Sequence, residues 1–123
     1  MIVELTKTYH FEAAHALTRA PEGHRCRHIH GHTYQVDVTL RGPVDPDVGW
    51  LMDYGDITAA VKPVIELLDH QFLNEVEGLS QPTSENLCAW LWDHISRSTP
   101  HLWEICVRET PTSRCRYRGP LDA

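Results

Sequence analysis

Apolar and polar positions alternate with a period of two between residues 32 and 41. Tyr34, Val36, Val38 and Leu40 fall on one side; Thr33, Gln35, Asp37 and Thr39 fall on the other. A strand with one face in a core and one face wet, or covered by a neighbour, has this pattern. Residues 2–12 are rich in β-branched and aromatic side chains and predict a strand ahead of it. Between the two lies a polar stretch, 13–29, that reads as a loop. Arg41-Gly42-Pro43 and Asp45-Pro46 end the alternating run in a turn.

The period then changes. Ile57, Val61, Val64 and Leu68 recur at helical spacing and predict a helix over 56–69, with Asp53 placed to cap it. Pro63 conflicts with a helix interior and predicts a kink or a restart. Leu87, Trp90, Leu91, His94 and Ile95 predict a second helix over 84–97. Pro82-Thr83-Ser84-Glu85 supplies a breaker and then a capping hydroxyl ahead of it. Two strands fit 102–109 and 113–118, joined by a turn at Thr110-Pro111-Thr112. The order ββααββ predicts an α+β fold, an antiparallel four-stranded sheet with both helices on one face. No repeat is visible, and residues 1–123 read as one domain.

Composition narrows the function classes. The chain is 41% hydrophobic and 23% charged, ordinary for a globular protein. No apolar run approaches the ~18 residues that span a bilayer, and no basic-then-apolar leader opens the chain. The expectation is a cytoplasmic protein without a membrane partner. Eleven Lys and Arg against seventeen Asp and Glu give a net charge of −6. That field disfavours a nucleic-acid partner. Seven of the nine Arg nonetheless fall in two clusters, Arg19, Arg25 and Arg27, and Arg108, Arg114, Arg116 and Arg118. These are either solvated surface or a grip on a small anion, since guanidinium binds phosphate bidentately.

Nine His are present, five of them between His15 and His32. His30 and His32 are two apart, so an extended backbone points both to one face. Such a pair is either an accident of sequence or two ligands of one metal ion, and His15, at the end of the first strand, is the candidate for the third. Three neutral imidazoles and an open fourth position are the pattern of catalytic zinc. His28 shares the same parity and is a rival ligand; His24 reads as a loop residue. Cys26, in the same loop, is either a base or nucleophile beside the metal, or a fourth ligand that closes the site. No two of the four Cys are spaced C-x-x-C. Cys88 and Cys106 lie in apolar patterns and read as core. Asp69-His70 is either an acid orienting a His for proton transfer or a plain helix end. Glu109 continues the apolar face of Trp103, Ile105 and Val107. A carboxylate there needs a partner, either a ligand with a paired N–H edge or a protein Arg.

These residues carry a resemblance. The chain resembles the 6-pyruvoyl-tetrahydropterin synthase superfamily in Phe11-Glu12-Ala13-Ala14-His15, Cys26-x-x-x-His30-Gly31-His32-x-Tyr34, Gly49-Trp50-Leu51-Met52-Asp53-Tyr54, Leu68-Asp69-His70, Pro82-Thr83-Ser84-Glu85-Asn86 and Arg108-Glu109-Thr110. Pro21-Glu22-Gly23-His24-x-Cys26 and Cys115-x-Tyr117-Arg118-Gly119 point to its bacterial 6-carboxytetrahydropterin synthase branch, which serves queuosine biosynthesis. The resemblance implies the tunnelling fold, in which three subunits close one barrel and two trimers stack into a homohexamer. It implies zinc on His15, His30 and His32, Cys26 as the proton-transferring thiolate, Asp69 with His70 as the partner acid–base pair, and Glu109 as the pterin anchor. It implies 7,8-dihydroneopterin triphosphate as substrate. The implied products are 6-carboxy-5,6,7,8-tetrahydropterin, acetaldehyde and triphosphate. The alternatives are a synthase making 6-pyruvoyltetrahydropterin without C–C cleavage, or a non-enzymatic zinc-binding module.

Overall fold

The computed structural model describes residues 1–120. Strands β1 (Ile2–His15) and β2 (His30–Pro43) come first, followed by helix α1 (Tyr54–Glu66) and a two-residue strand β3 (Gln71–Phe72). Helix α2 (Ser84–Ile95) and strands β4 (Leu102–Thr110) and β5 (Ser113–Tyr117) complete the chain. The sheet order is β3-β1-β2-β4-β5. Every pairing is antiparallel except β3 with β1. The expected four antiparallel strands are therefore present, and the sheet has a fifth, parallel strand at its edge. Two residues are too few to leave a periodic signal in sequence.

β1 is longer than its composition predicts. It runs on through Ala13 and Ala14 to His15, paired with His32, Gly31 and His30 of β2. Ala has little strand preference of its own. The extension comes from β2, which offers a continuous ladder from Pro43 back to His30. On the core face, Phe11 and Ala13 of β1 are buried beside Tyr34 of β2, and Phe11 stacks on Tyr34 at 4.8 Å and 7°.

Both helices cover that one face. Ile57, Val61 and Ile65 of α1 and Leu87, Trp90, Leu91 and Ile95 of α2 share a single core cluster with Val36, Val38, Leu40, Ile105 and Val107. The opposite face is polar and tied across strands. Thr6 bonds Thr39 at 2.7 Å, Thr8 donates to Asp37 at 2.7 Å, and Arg108 reaches Asp37 at 3.2 Å.

Local chemistry sets the helix limits. The Asp53 carboxylate accepts from the Gly55 N–H at 3.1 Å, so α1 starts at Tyr54, two residues earlier than predicted. It continues through Pro63 and stops at Glu66. The Leu67 and Leu68 amides then bond three residues back, to Val64 and Ile65, which tightens the last turn. His70, at φ 59°, reverses the chain. The Thr83 hydroxyl caps α2 by accepting from the Asn86 N–H at 3.1 Å. No helix among the described residues is long and apolar enough to cross a membrane.

Candidate active site

The core face carries the chemistry at one end of the sheet. His15, the last residue of β1, pairs directly with His30, the first of β2, and His32 follows on the same face. One ring nitrogen from each of the three lies within 4.8 Å of those of the others. Neighbouring carbonyls fix the orientation. The His15 Nδ1–H donates to the Pro82 carbonyl at 2.8 Å, just before α2, and the His30 Nδ1–H donates to the His28 carbonyl at 2.8 Å. In neutral rings both Nε2 atoms are then lone pairs, and they face each other at 2.9 Å, an approach that a proton or a metal ion between them satisfies. His32 Nε2 is buried with no hydrogen-bond partner. Burial pushes His32 below the ordinary imidazole range, opposed by the charge of Glu109. Lone pairs converging without a proton between them are stable only around a shared cation. Nδ1–H bonds to carbonyls are the usual support of metal-binding imidazoles. The residues fit a metal ion.

Neither Cys26 nor His28 belongs to this ligand group. His28, the rival ligand of the sequence pattern, contributes its backbone carbonyl instead. Cys26 is a half-buried residue in a 3-10 turn, Arg25–Arg27. Its amide donates to His24 Nδ1 at 3.1 Å, and its carbonyl accepts from Leu17 N–H at 2.7 Å, which ties the loop to the end of β1.

Asp69 and His70 do not end a helix. They occupy the turn between α1 and β3. Asp69 Oδ1 accepts from the Glu12 amide at 2.9 Å and lies 3.0 Å from His70 Nδ1. The Glu12 N–H, and then His70, hold the Asp69 carboxyl below the usual carboxylate range. The exposed His70 ring lines a cleft of about 560 Å³ with Glu12, Gly31, His32 and Thr33. The turn therefore sets the Asp–His pair on a cleft that His32 also lines.

Glu109 lies with its Oε2 3.9 Å from His32 Nε2. Among the described residues no Arg pairs with it. Its neighbour Arg108 is held by Asp37. Of the two partners its position demanded, the described residues supply no Arg, and Glu109 opens into a second cleft of about 520 Å³ with His10, Gln35 and Arg108. The arginine strand is less free than its alternation suggests. Arg116 and Arg118 converge on Glu104 at 4.0 and 3.2 Å, whereas Arg114 lines a cleft with Glu109 and Ser84.

Two contributors escaped the sequence pattern. The Pro82 carbonyl is backbone, so residue types give no sign of it. Tyr34 reads as one more core residue, but its hydroxyl is a polar group at a buried strand position, and that was the available signal. Burial, then the nearby charge of Glu109, raise this phenol above its usual range.

The sequence profile of the 6-pyruvoyl tetrahydropterin synthase family matches residues 4–120. A Bacillus subtilis protein named 6-carboxy-5,6,7,8-tetrahydropterin synthase is 35% identical over 127 residues, covering 94% of this chain and 84% of its own. A Synechocystis protein of the same name is 36% identical over 120 residues, covering 93% and 92%. The solved structure of Caenorhabditis elegans 6-pyruvoyl tetrahydropterin synthase superposes with a TM-score of 0.91 at 27% identity, covering 98% of this chain and 97% of that one.

Proposed function

The chain belongs to the 6-pyruvoyl tetrahydropterin synthase family, and from that premise we propose that it is a zinc-dependent 6-carboxy-5,6,7,8-tetrahydropterin synthase of queuosine biosynthesis. Its substrate is 7,8-dihydroneopterin triphosphate; its products are 6-carboxytetrahydropterin, acetaldehyde and triphosphate. One observation carries this reading: three imidazoles converge, and among the described residues no fourth His, Cys, Asp or Glu joins their group. An open position suits a reacting site more than a closed structural one. Similarity to two relatives named for the carboxy product, over 93–94% of the chain, favours that product.

His15, His30 and His32 hold the zinc, which when bound polarises the substrate's side-chain oxygens and acidifies the adjacent C–H. Glu109 accepts the paired N–H edge of the pterin, one hydrogen bond to each carboxylate oxygen. Cys26 takes a proton at Sγ. His70, oriented through Nδ1 by Asp69, gives or takes the second proton at Nε2. The protein works in the cytoplasm as a homohexamer, two stacked trimers with each site between subunits.

Mass spectrometry of the products from dihydroneopterin triphosphate and zinc-loaded protein tests this. Acetaldehyde and 6-carboxytetrahydropterin are the expected products. A 6-pyruvoyl product without acetaldehyde would establish the second reading, which the fold match to the C. elegans enzyme supports. No turnover, with zinc bound, would leave a metal-binding module.

A further inference from the structure

Tyr34 is fully buried, and its hydroxyl has no hydrogen-bond partner among the described residues. Burial of this kind is costly and is seldom left without a use. Packing fixes the ring. It stacks on Phe11 at 4.8 Å and meets His32 edge-on at 5.4 Å and His15 at 5.9 Å. Held by these contacts, the ring stays on the core face, where the register that pairs Gln35 with Arg108 and Val36 with Val107 sets Tyr34 across from Glu109.

The second unspent group at this place is Glu109. Its carboxylate has no Arg among the described residues, and its nearest cationic candidate, His32 at 3.9 Å, offers the nitrogen that belongs to the metal-ligand group. With a metal on that nitrogen, nothing in the ligand set donates to Glu109. A carboxylate beside a bound cation would then drift toward it as a fourth ligand. A phenol hydroxyl, protonated at neutral pH in its ordinary state, is the donor that prevents this.

We propose that Tyr34 is a positioning residue: its hydroxyl donates to the Glu109 carboxylate in the loaded site and holds it off the metal, aimed at the ligand's N–H edge. The inference rests on the reading of Glu109 as the pterin anchor. Each carboxylate oxygen has two lone pairs, so one bond to Tyr34 leaves room for both ligand bonds. The free protein keeps the hydroxyl in reserve, and the ligand complex uses it.

Tyr34→Phe separates this from a packing role because the two expected effects oppose each other. Removing an unpartnered buried hydroxyl leaves the melting temperature of the metal-free protein unchanged or higher. In the zinc-loaded protein, affinity for unsubstituted pterin, read by fluorescence titration, falls about tenfold, the scale of a hydrogen bond to a charged group. In turnover, KM rises while kcat stays within about twofold. The double variant Tyr34→Phe/Glu109→Gln binds pterin no more weakly than Glu109→Gln alone, because Tyr34 acts through that carboxylate. A lower melting temperature with unchanged pterin affinity would overturn the proposal, and so would additive losses in the double variant. Wild-type protein that binds no pterin would overturn the functional reading itself. Pterin binding that depends on Glu109 but not on Tyr34 would overturn this inference alone.

Discussion

At the scale of the residue, the three imidazoles are unequal in their support. His15 and His30 are each fixed by a carbonyl, whereas His32 has Glu109 beside it and an unpartnered nitrogen. Replacing His32 with Ala is expected to abolish zinc binding or weaken it by orders of magnitude, as metal analysis after dialysis would show. Cys26 lies outside the ligand group. Cys26→Ala is therefore expected to retain full zinc content and lose turnover; loss of metal with the thiol would make Cys26 a ligand. Asp69 gives a pH signature. Its folded-state carboxyl sits below the ordinary range, so its contribution to stability is present above the unfolded value of about 3.9 and is lost as pH falls through the lower folded value. Melting curves of the wild type and Asp69→Asn, taken from about pH 6 down to about pH 2, should differ at the upper end and converge at the lower.

At the scale of the element, helix α2 links stability to the metal. Its cap is the Thr83 hydroxyl, and the carbonyl of the preceding Pro82 holds His15. Thr83→Ala should cost about 1 kcal/mol, lowering the melting temperature by about 3–6 °C. It should also weaken zinc affinity, because a frayed α2 start no longer fixes that carbonyl; calorimetry on the variant measures both. Elements with a strong period were legible in the sequence. The alternation from Tyr34 to Leu40 and the helical spacing from Leu87 to Ile95 came through because each buries one face on the shared core. Asp53 and Thr83 were legible because a capping side chain bonds to its own segment. The end of β1 was hidden, since Ala13 and Ala14 become a strand only through their partners on β2. So was the turn at His70, whose left-handed backbone has no glycine to announce it. The H-x-H pair was legible because strand parity alone puts both rings on one face. The support from Pro82 was not, since it crosses from another element through backbone.

At the scale of the whole molecule, a chain of net charge −6 is expected to draw in a triphosphate through local charge only. KM for dihydroneopterin triphosphate should rise with ionic strength as screening shortens to ~8 Å at physiological salt. Arg114→Ala should raise it more than Arg116→Ala or Arg118→Ala, whose guanidinium groups are already engaged by Glu104. Kinetics with unphosphorylated dihydroneopterin, where none of the three should matter, provide the control. Light scattering should give the mass of six chains, in keeping with an uncovered polar face and a short strand at either sheet edge. The long ribbon of β1 and β2 has a consequence of its own. The strands pair without a register shift from Ile2 and Pro43 to His15 and His30, and the imidazoles sit at the mouth where the strands part. A bound ion there is a clasp on a zipper. It should suppress fraying from the mouth and leave the far end untouched. Amide hydrogen exchange should therefore slow on metal loading at Ala14 and Gly31 and fade in effect toward Val3 and Gly42, so the ribbon itself becomes a ruler of occupancy.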